Sequence, residues 1–258
     1  MTIRAKATVI FTSLALTLPA CSVKEDRDDC PCLLTVDTSQ TVEGSTMLNI
    51  THASLGTVAR EELPDGTSSF STEVPRGSVY VSAFSDPDDW VFSTDGMTIS
   101  LPEGTEPGRI YAHSDLVDCS GEEAWDGVLM YKQWCTIEIM LEDPTAWEDC
   151  SFSIEGSWSG FSLSDFSAVS GAFNCQMRRV SDYFVEARVT RQGDDGLILR
   201  VSPDDRTIAI GEAIANAGYD WSMVSLNDIN ISLTDTDLGV SVEVVNWEDG
   251  QDGGDSTI

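Results

Sequence analysis

Seven cysteines and two histidines are the groups in this 258-residue chain whose chemistry depends most on where they stand. Cys21 follows Leu18-Pro19-Ala20 at the end of an apolar run. A thiolate there is a nucleophile with small side chains before it, which is what S-alkylation and backbone cleavage both require. Cys30-Pro31-Cys32 comes soon after, while Cys119, Cys135, Cys150 and Cys175 are spread through the body of the chain. Metal binding suits them poorly. The Cys-x-Cys pair has no second close pair, and neither His52 nor His113 stands at zinc-finger spacing from a cysteine. With Cys21 set apart, the remaining six are an even number and fit disulfides in an oxidising compartment. The preferred pairing joins Cys150 to Cys175, and the Cys30 and Cys32 pair to Cys119 and Cys135.

Other reactive constellations are thin. Two histidines leave little room for a Ser-His-Asp arrangement, and the glycines are scattered through turns with no phosphate-binding loop. Carboxylate pairs such as Asp88-Asp89 and Glu122-Glu123 arise by chance in a chain this acidic and belong in solvent. "SDPDD" (85–89), "TDTD" (234–237) and "EDGQDGGD" near the end lack the fixed ligand positions and closing Glu of an EF-hand. The expectation is a non-enzymatic protein with no cofactor and no resident metal.

The elements around Cys21 say where the chain goes. Arg4 and Lys6 precede an uncharged, mostly apolar run from Ala7 to Leu18, the layout of an export signal over residues 1–20, too short for an ordinary membrane span. Leu18-Pro19-Ala20-Cys21 resembles the lipobox of bacterial lipoproteins, in which the cysteine is alkylated with diacylglycerol and becomes the first mature residue. Several acyl chains anchor a protein stably where one holds it only marginally. Lys24-Glu25-Asp26, with Asp28 and Asp29, is similar to the acidic tag that sends Bacteroidota lipoproteins to the outer face of the outer membrane. Residues 21–32 are read as a lipidated acidic linker, and the expected location is the cell surface.

With 44 acidic and 14 basic residues, the formal charge is −30, and loss of Arg4 and Lys6 with the signal makes it more negative. Such a chain repels phosphate backbones, so nucleic acid is excluded as a partner. A hydrophobic share of 41% with seven Trp argues for packed cores.

The body reads as strands. Val79, Val81 and Ala83 alternate with Tyr80, Ser82 and Phe84; Ile137, Ile139 and Leu141 with Thr136, Glu138 and Met140; Val240, Val242 and Val244 with Ser241, Glu243 and Val245. A period of two bounded by Gly, Pro, Asp and Ser is the half-buried strand pattern. Leu197 to Val201 is a further β-type run. Ile208 to Ala217, closed by Gly218, predicts a short helix, with Tyr219 and Trp221 buried after it. Arg191-Gln192 followed by Gly193-Asp194-Asp195-Gly196 predicts a strand end and a hairpin turn. The fold class is all-β, with a sandwich at 33–144, a seam in the turn Glu142 to Asp149, a second sandwich at 145–248 and a polar tail at 249–258.

Four stretches in order, "RVTRQGDDGLILRV" (188–201), "AIGEAIANAGYDW" (209–221), "SLNDINISL" (225–233) and "VSVEVVNWE" (240–248), resemble the C-terminal half of the FimB-type fimbrial anchor lipoproteins of Bacteroidota. "CPC", "VPRGSVYVSAFSD" and "YKQWCTIEIML" are similar to their N-terminal half. The resemblance implies two tandem transthyretin-like β-sandwiches on a lipid anchor, a fimbrial shaft subunit as partner, and strand complementation at an open sheet edge as the junction. It also implies a part in limiting fimbrial length. Only "DGQDGGDSTI" follows the final strand, with no apolar extension to donate, as expected of a terminal subunit. A surface glycan-binding lipoprotein of a polysaccharide-uptake system is the alternative, with Trp90, Trp125, Trp147 and Trp158 as a sugar platform. A fimbrial tip or accessory subunit of the same fold is a third.

Overall fold

The computed structural model describes residues 30–85, 90–94, 96–236 and 239–248. Cys21, Lys24, Glu25 and Asp26, the signal segment and the tail 249–258 lie outside the described residues.

The first strands are β1 (Cys32–Asp37), β2 (Thr46–His52), β3 (Gly56–Leu63), β4 (Ser69–Val74), β5 (Ser78–Ser85), β6 (Val91–Phe92), β7 (Thr98–Ser100), β8 (Tyr111–Asp118), β9 (Glu123–Gly127) and β10 (Tyr131–Lys132). They are followed by β11 (Trp134–Leu141), β12 (Ser151–Ser162), β13 (Ala168–Gln176), β14 (Arg178–Arg179), β15 (Phe184–Thr190), β16 (Ile198–Ser202) and β17 (Arg206–Ile208). A 3-10 helix (Pro144–Trp147) follows β11, and the one α-helix among the described residues, α1 (Ile210–Asn216), precedes β18 (Asp228–Thr236) and β19 (Gly239–Glu248). The all-β expectation holds.

Alternation builds the first core. In β1 the side chains of Cys32, Leu34 and Val36 are fully buried while Leu33 points out, the two-residue period of a strand with one wet face. β1 lies between β4 and β9 in a three-stranded sheet, antiparallel to the former and parallel to the latter. Opposite it stands the sheet β10-β8-β5-β2-β3, whose Leu48, Ile50, Val79, Val81 and Val117 share the same hydrophobic cluster.

A second core forms between the sheet β14-β15-β11-β18-β19 and the sheet β17-β16-β12-β7-β6, to which β13 adds by pairing with β12. Ile137, Ile139 and Leu141 of β11 point into it, as the alternation predicts, together with Ile229, Ile231 and Leu233 of β18. Val242 and Val244 pack against it from β19. Membership changes between β10 and β11, ahead of the turn at 142–149, and that turn joins two strands that both serve the second core. β6 and β7 also cross over: Ile99 faces Phe161 in the β7–β12 pairing.

Two local expectations are corrected. β5 is buried on both faces at its end, because Ser82 Oγ donates to the Leu163 carbonyl at 2.9 Å and Phe84 belongs to the second core. The Gly193–Gly196 segment is no hairpin: β15 and β16 lie in different sheets, so it carries the chain across the sandwich. The helix matches its prediction in place and stop. Gly218 adopts φ +90°, a conformation glycine takes at little cost, and its N–H closes on the Ala215 carbonyl at 2.9 Å. No helix of the described residues is long and apolar enough to cross a membrane.

Candidate functional site

The crossing segment and the helix stop bring two of the quoted stretches together. Arg191–Asp195 and Tyr219–Ser222 line a cavity of about 490 Å³, together with Phe166. Arg191 is 2% exposed. Its Nη1 donates to the Trp221 carbonyl, and its Nη2 to Gln133 Oε1 at 2.8 Å and the Val224 carbonyl at 3.4 Å. Gln133 is itself fully buried and donates to the Val224 carbonyl at 2.9 Å. Burial pushes the Arg191 pKa down to about 10, so the guanidinium stays charged at neutral pH. Arg191 Nε and Gln192 Oε1 find no partner among the described residues.

The rim of this cavity is acidic but occupied with its own turns. Asp165 accepts from the Ser167 N–H and hydroxyl, Asp194 from the Gly196 N–H, and Asp220 from the Ser222 N–H and hydroxyl. The bonds from Ser167 hold Asp165 below the usual carboxylate range, and those from Ser222 do the same for Asp220. The buried cation is engaged by carbonyls and Gln133, and Asp165, Asp194 and Asp220 by their own turns. The arrangement is a latch: it pins the segment after the helix to the start of β11. Of the two aromatics expected inside, Tyr219 is buried and donates to the Asn227 carbonyl at 2.7 Å, while Trp221 is half-buried.

A second concavity, of about 320 Å³, lies at the far end of β1, where Asp37, Gln40, Asp115 and Trp125 surround it. Trp125 is 64% exposed. Its ring lies over Gly127, where a Cβ would come within 2.7 Å of it. The wall is held from behind by a buried pair, His113 Nε2 and Asp126 Oδ2, 3.1 Å apart, while the Leu129 N–H meets His113 Nδ1 at 3.2 Å. The sugar platform expected of four tryptophans is not assembled. Trp90 and Trp147 are buried core residues, Trp158 is half-buried beneath Gly193, and Trp125 stands exposed without them. His52 serves a turn: Ser54 N–H reaches its Nδ1 at 3.2 Å, and its Nε2 lies 3.0 Å from the Arg76 carbonyl.

No disulfide joins the described cysteines, and the fold sets two of the expected pairings apart. Cys30 is exposed, and Cys32, Cys119, Cys135, Cys150 and Cys175 are free thiols. Cys175 stands opposite Ile154 in the β12–β13 ladder. That is four residues beyond Cys150, or roughly 13 Å of strand, further than a disulfide spans. Cys135 belongs to the second core whereas Cys32 and Cys119 belong to the first, which separates it from the N-terminal pair. Cys32 and Cys119 are in side-chain contact with one another.

Among the described residues the sheets end in several open edges. β3 carries Arg60, Glu61 and Glu62; β4 carries Glu73; β9 carries Glu123; β19 carries Glu243. β13 differs. Its nine residues, AVSGAFNCQ, hold no charge, and it pairs with β12 alone. Charges on edge strands discourage pairing with another chain, so among the longer edges β13 is the unguarded one.

Three solved structures carry this arrangement of strands at low sequence identity. The chain superposes on a candidate polysaccharide-binding protein (DUF1812) from Bacteroides thetaiotaomicron with a TM-score of 0.62, at 12% identity over 84% of this chain and 96% of that one. A candidate adhesin from Bacteroides ovatus gives 0.60, at 13% identity over 86% and 97%. The fimbrial anchor protein Mfa2 from Porphyromonas gingivalis gives 0.59, at 10% identity over 85% and 97%. The fold is common to all. No family model matches the chain, and no curated protein matches it.

Sequence reasoning missed the Arg191–Gln133 latch, the His113–Asp126 pair and the β13 edge. The partners of the first are 58 positions apart and those of the second 13, so no local period links them. The lack of charge over 168–176 was legible, but its position at an edge was not.

Proposed function

We propose that this protein is a lipid-anchored, non-catalytic surface subunit that tethers a fimbrium to the outer membrane. Acyl chains on Cys21 hold it to lipid, and the Lys24-Glu25-Asp26 stretch directs it to the outer face. Two β-sandwiches follow the linker and carry the junction with the shaft. The β13 edge receives an extended segment of the shaft subunit. The observation that carries this reading is that edge: nine uncharged residues with an open side, in a chain whose other long edges bear charge. Backbone hydrogen bonds along such a strand supply affinity, and the pockets beside it supply selectivity. Support also comes from the lipobox-like Leu18-Pro19-Ala20-Cys21 and from the fold held in common with a fimbrial anchor. A protein that ends the fibre at its base also limits the length the fibre reaches.

Cys21→Ala tests the tether. The expected result is release of the protein, and of fibres it holds, into the medium, read by fractionation and electron microscopy. Fibres still firmly attached in the variant would overturn the reading.

One observation favours a second reading, a glycan-binding surface lipoprotein. Trp125 presents an exposed indole face beside Asp37, Asp115 and Gln40, the pairing of an aromatic platform with hydrogen-bonding groups that sugars use. Retention on a polysaccharide column that disappears in Trp125→Ala would favour it; recovery of a shaft subunit from solubilised outer membrane favours the tether.

A further inference from the structure

The first core is closed at one end by two thiols arriving from opposite sheets. Cys32 opens β1, is fully buried and stands opposite Val74, the last residue of β4. Cys119 follows β8, is fully buried, and its N–H donates to the Gly77 carbonyl at 2.8 Å. Val74 and Gly77 bound one short turn, the passage from β4 in one sheet to β5 in the other. The two thiols therefore flank a single turn from its two sides, and they touch. Further contacts fix this end: the Leu33 N–H donates to the Glu122 carbonyl at 2.9 Å, and Arg76 Nη1 to the Ser120 carbonyl at 2.9 Å.

From this geometry we infer that Cys32 and Cys119 form an intersheet disulfide in the exported protein. Each thiol gives up one proton and one electron; the Sγ–Sγ bond forms, and a thiol–disulfide oxidant of the cell envelope takes up the pair of electrons as its own disulfide is reduced to two thiols. Once the core has closed, neither sulfur is open to solvent and the Cys119 thiol is pushed up to about 12 by burial, then by Cys32. Oxidation belongs to the stage before β1 docks, when both sulfurs are accessible to the oxidant.

The bond would bear load, a role that rests on the tethering proposed above. β1 is the first strand after the linker, so tension from an anchor at Cys21 enters the fold at Cys32. Hydrogen bonds to β4 and β9 can be sheared one after another. A covalent link to Cys119 passes the pull directly to β8 and, through it, to β5 in the opposite sheet.

The test is made on full-length protein isolated from the cell envelope, with free thiols alkylated before any reduction. Trypsin releases 28–60, which holds Cys30 and Cys32, and 110–132, which holds Cys119. The expected product is these two joined and separated by reductant, with the alkyl label on Cys30; fragmentation at the Cys30–Pro31 bond assigns the site. Reduced protein should melt about 10 °C lower than oxidised protein, as closure of a loop of this length implies. The Cys32→Ser/Cys119→Ser variant should melt near the reduced value and ignore reductant. Alkylation of both Cys32 and Cys119 in the isolated protein, or a link from Cys119 to Cys30, would overturn the inference. If the variant does not accumulate, the peptide map of the natural protein still decides. A confirmed bond in a protein that holds no fibres would sink the tethering and leave the disulfide standing.

Discussion

Arg191 Nη2 donates to Gln133 Oε1 at 2.8 Å, and both side chains are shut away from solvent. The bond ties the end of β15 to the residue before β11, and through the carbonyls of Trp221 and Val224 it ties both to the segment after the helix. Arg191→Ala would strand Gln133 Oε1 and the Trp221 carbonyl, while the Val224 carbonyl keeps its bond from Gln133 Nε2. The expected cost is about 3 kcal/mol by urea denaturation, since bonds to a buried charge are worth more than neutral ones. Arg191→Ala combined with Gln133→Ala should cost less than the sum of the two, the mark of one shared contact.

Docking at the β13 edge predicts a specific failure. Ser170→Lys/Ala172→Lys places two cations on exposed positions of that strand without touching the inward Phe173 and Cys175. The purified variant should keep its melting temperature within a few degrees, while recovery of shaft subunit from solubilised membrane falls at least tenfold. Undiminished recovery would remove β13 from the junction.

At Gly160 the β7 backbone leaves no room for a side chain on β12. A Cβ there would lie 2.0 Å from the Ile99 carbonyl oxygen and 2.7 Å from Ser100 Cα, both backbone atoms with no freedom to move aside. Gly160→Ala should cost about 2–3 kcal/mol, in the range of overpacked cores. It should also speed proteolysis between β7 and β8, because this ladder holds β7 to the strands of the second core.

Alkaline pH should weaken the fold. Burial pushes the Cys175 thiol up to about 12 and raises Cys135 as well. In the unfolded chain a thiol ionises near 8.5. The folded state therefore binds more protons above that point, so the stabilisation is complete below about pH 8.5 and is lost as pH rises toward 12. Arg191, lowered to about 10, works in the opposite direction only above that value. Urea midpoints measured from pH 8 to 10 should fall, and the fall should be shallower in Cys175→Ala.

The tryptophans show how far composition reaches. Seven of them promised packed cores, and Trp147 and Trp90 are indeed buried, yet nothing in the local sequence separates these two from Trp125, which is exposed. Trp90 precedes β6 and Trp147 sits in the turn after β11, and both are buried because they join the second core, whereas Trp125 on β9 faces outward. The cysteines teach the same lesson: their even number was visible, but the partner of Cys119 depends on two sheets closing over one turn.

By itself the chain determined its strands, its short helix and the stop at Gly218, because two-residue alternation and the left-handed preference of glycine act within a few bonds. It also set the acidic surface and the apolar run before Cys21. The tertiary structure alone decided that β11 serves the second core, that 193–196 crosses between sheets, that Arg191 meets Gln133, and that β13 is left at an edge. Those outcomes depend on pairings between strands distant in sequence, and no pattern of period two says which strand will lie beside which.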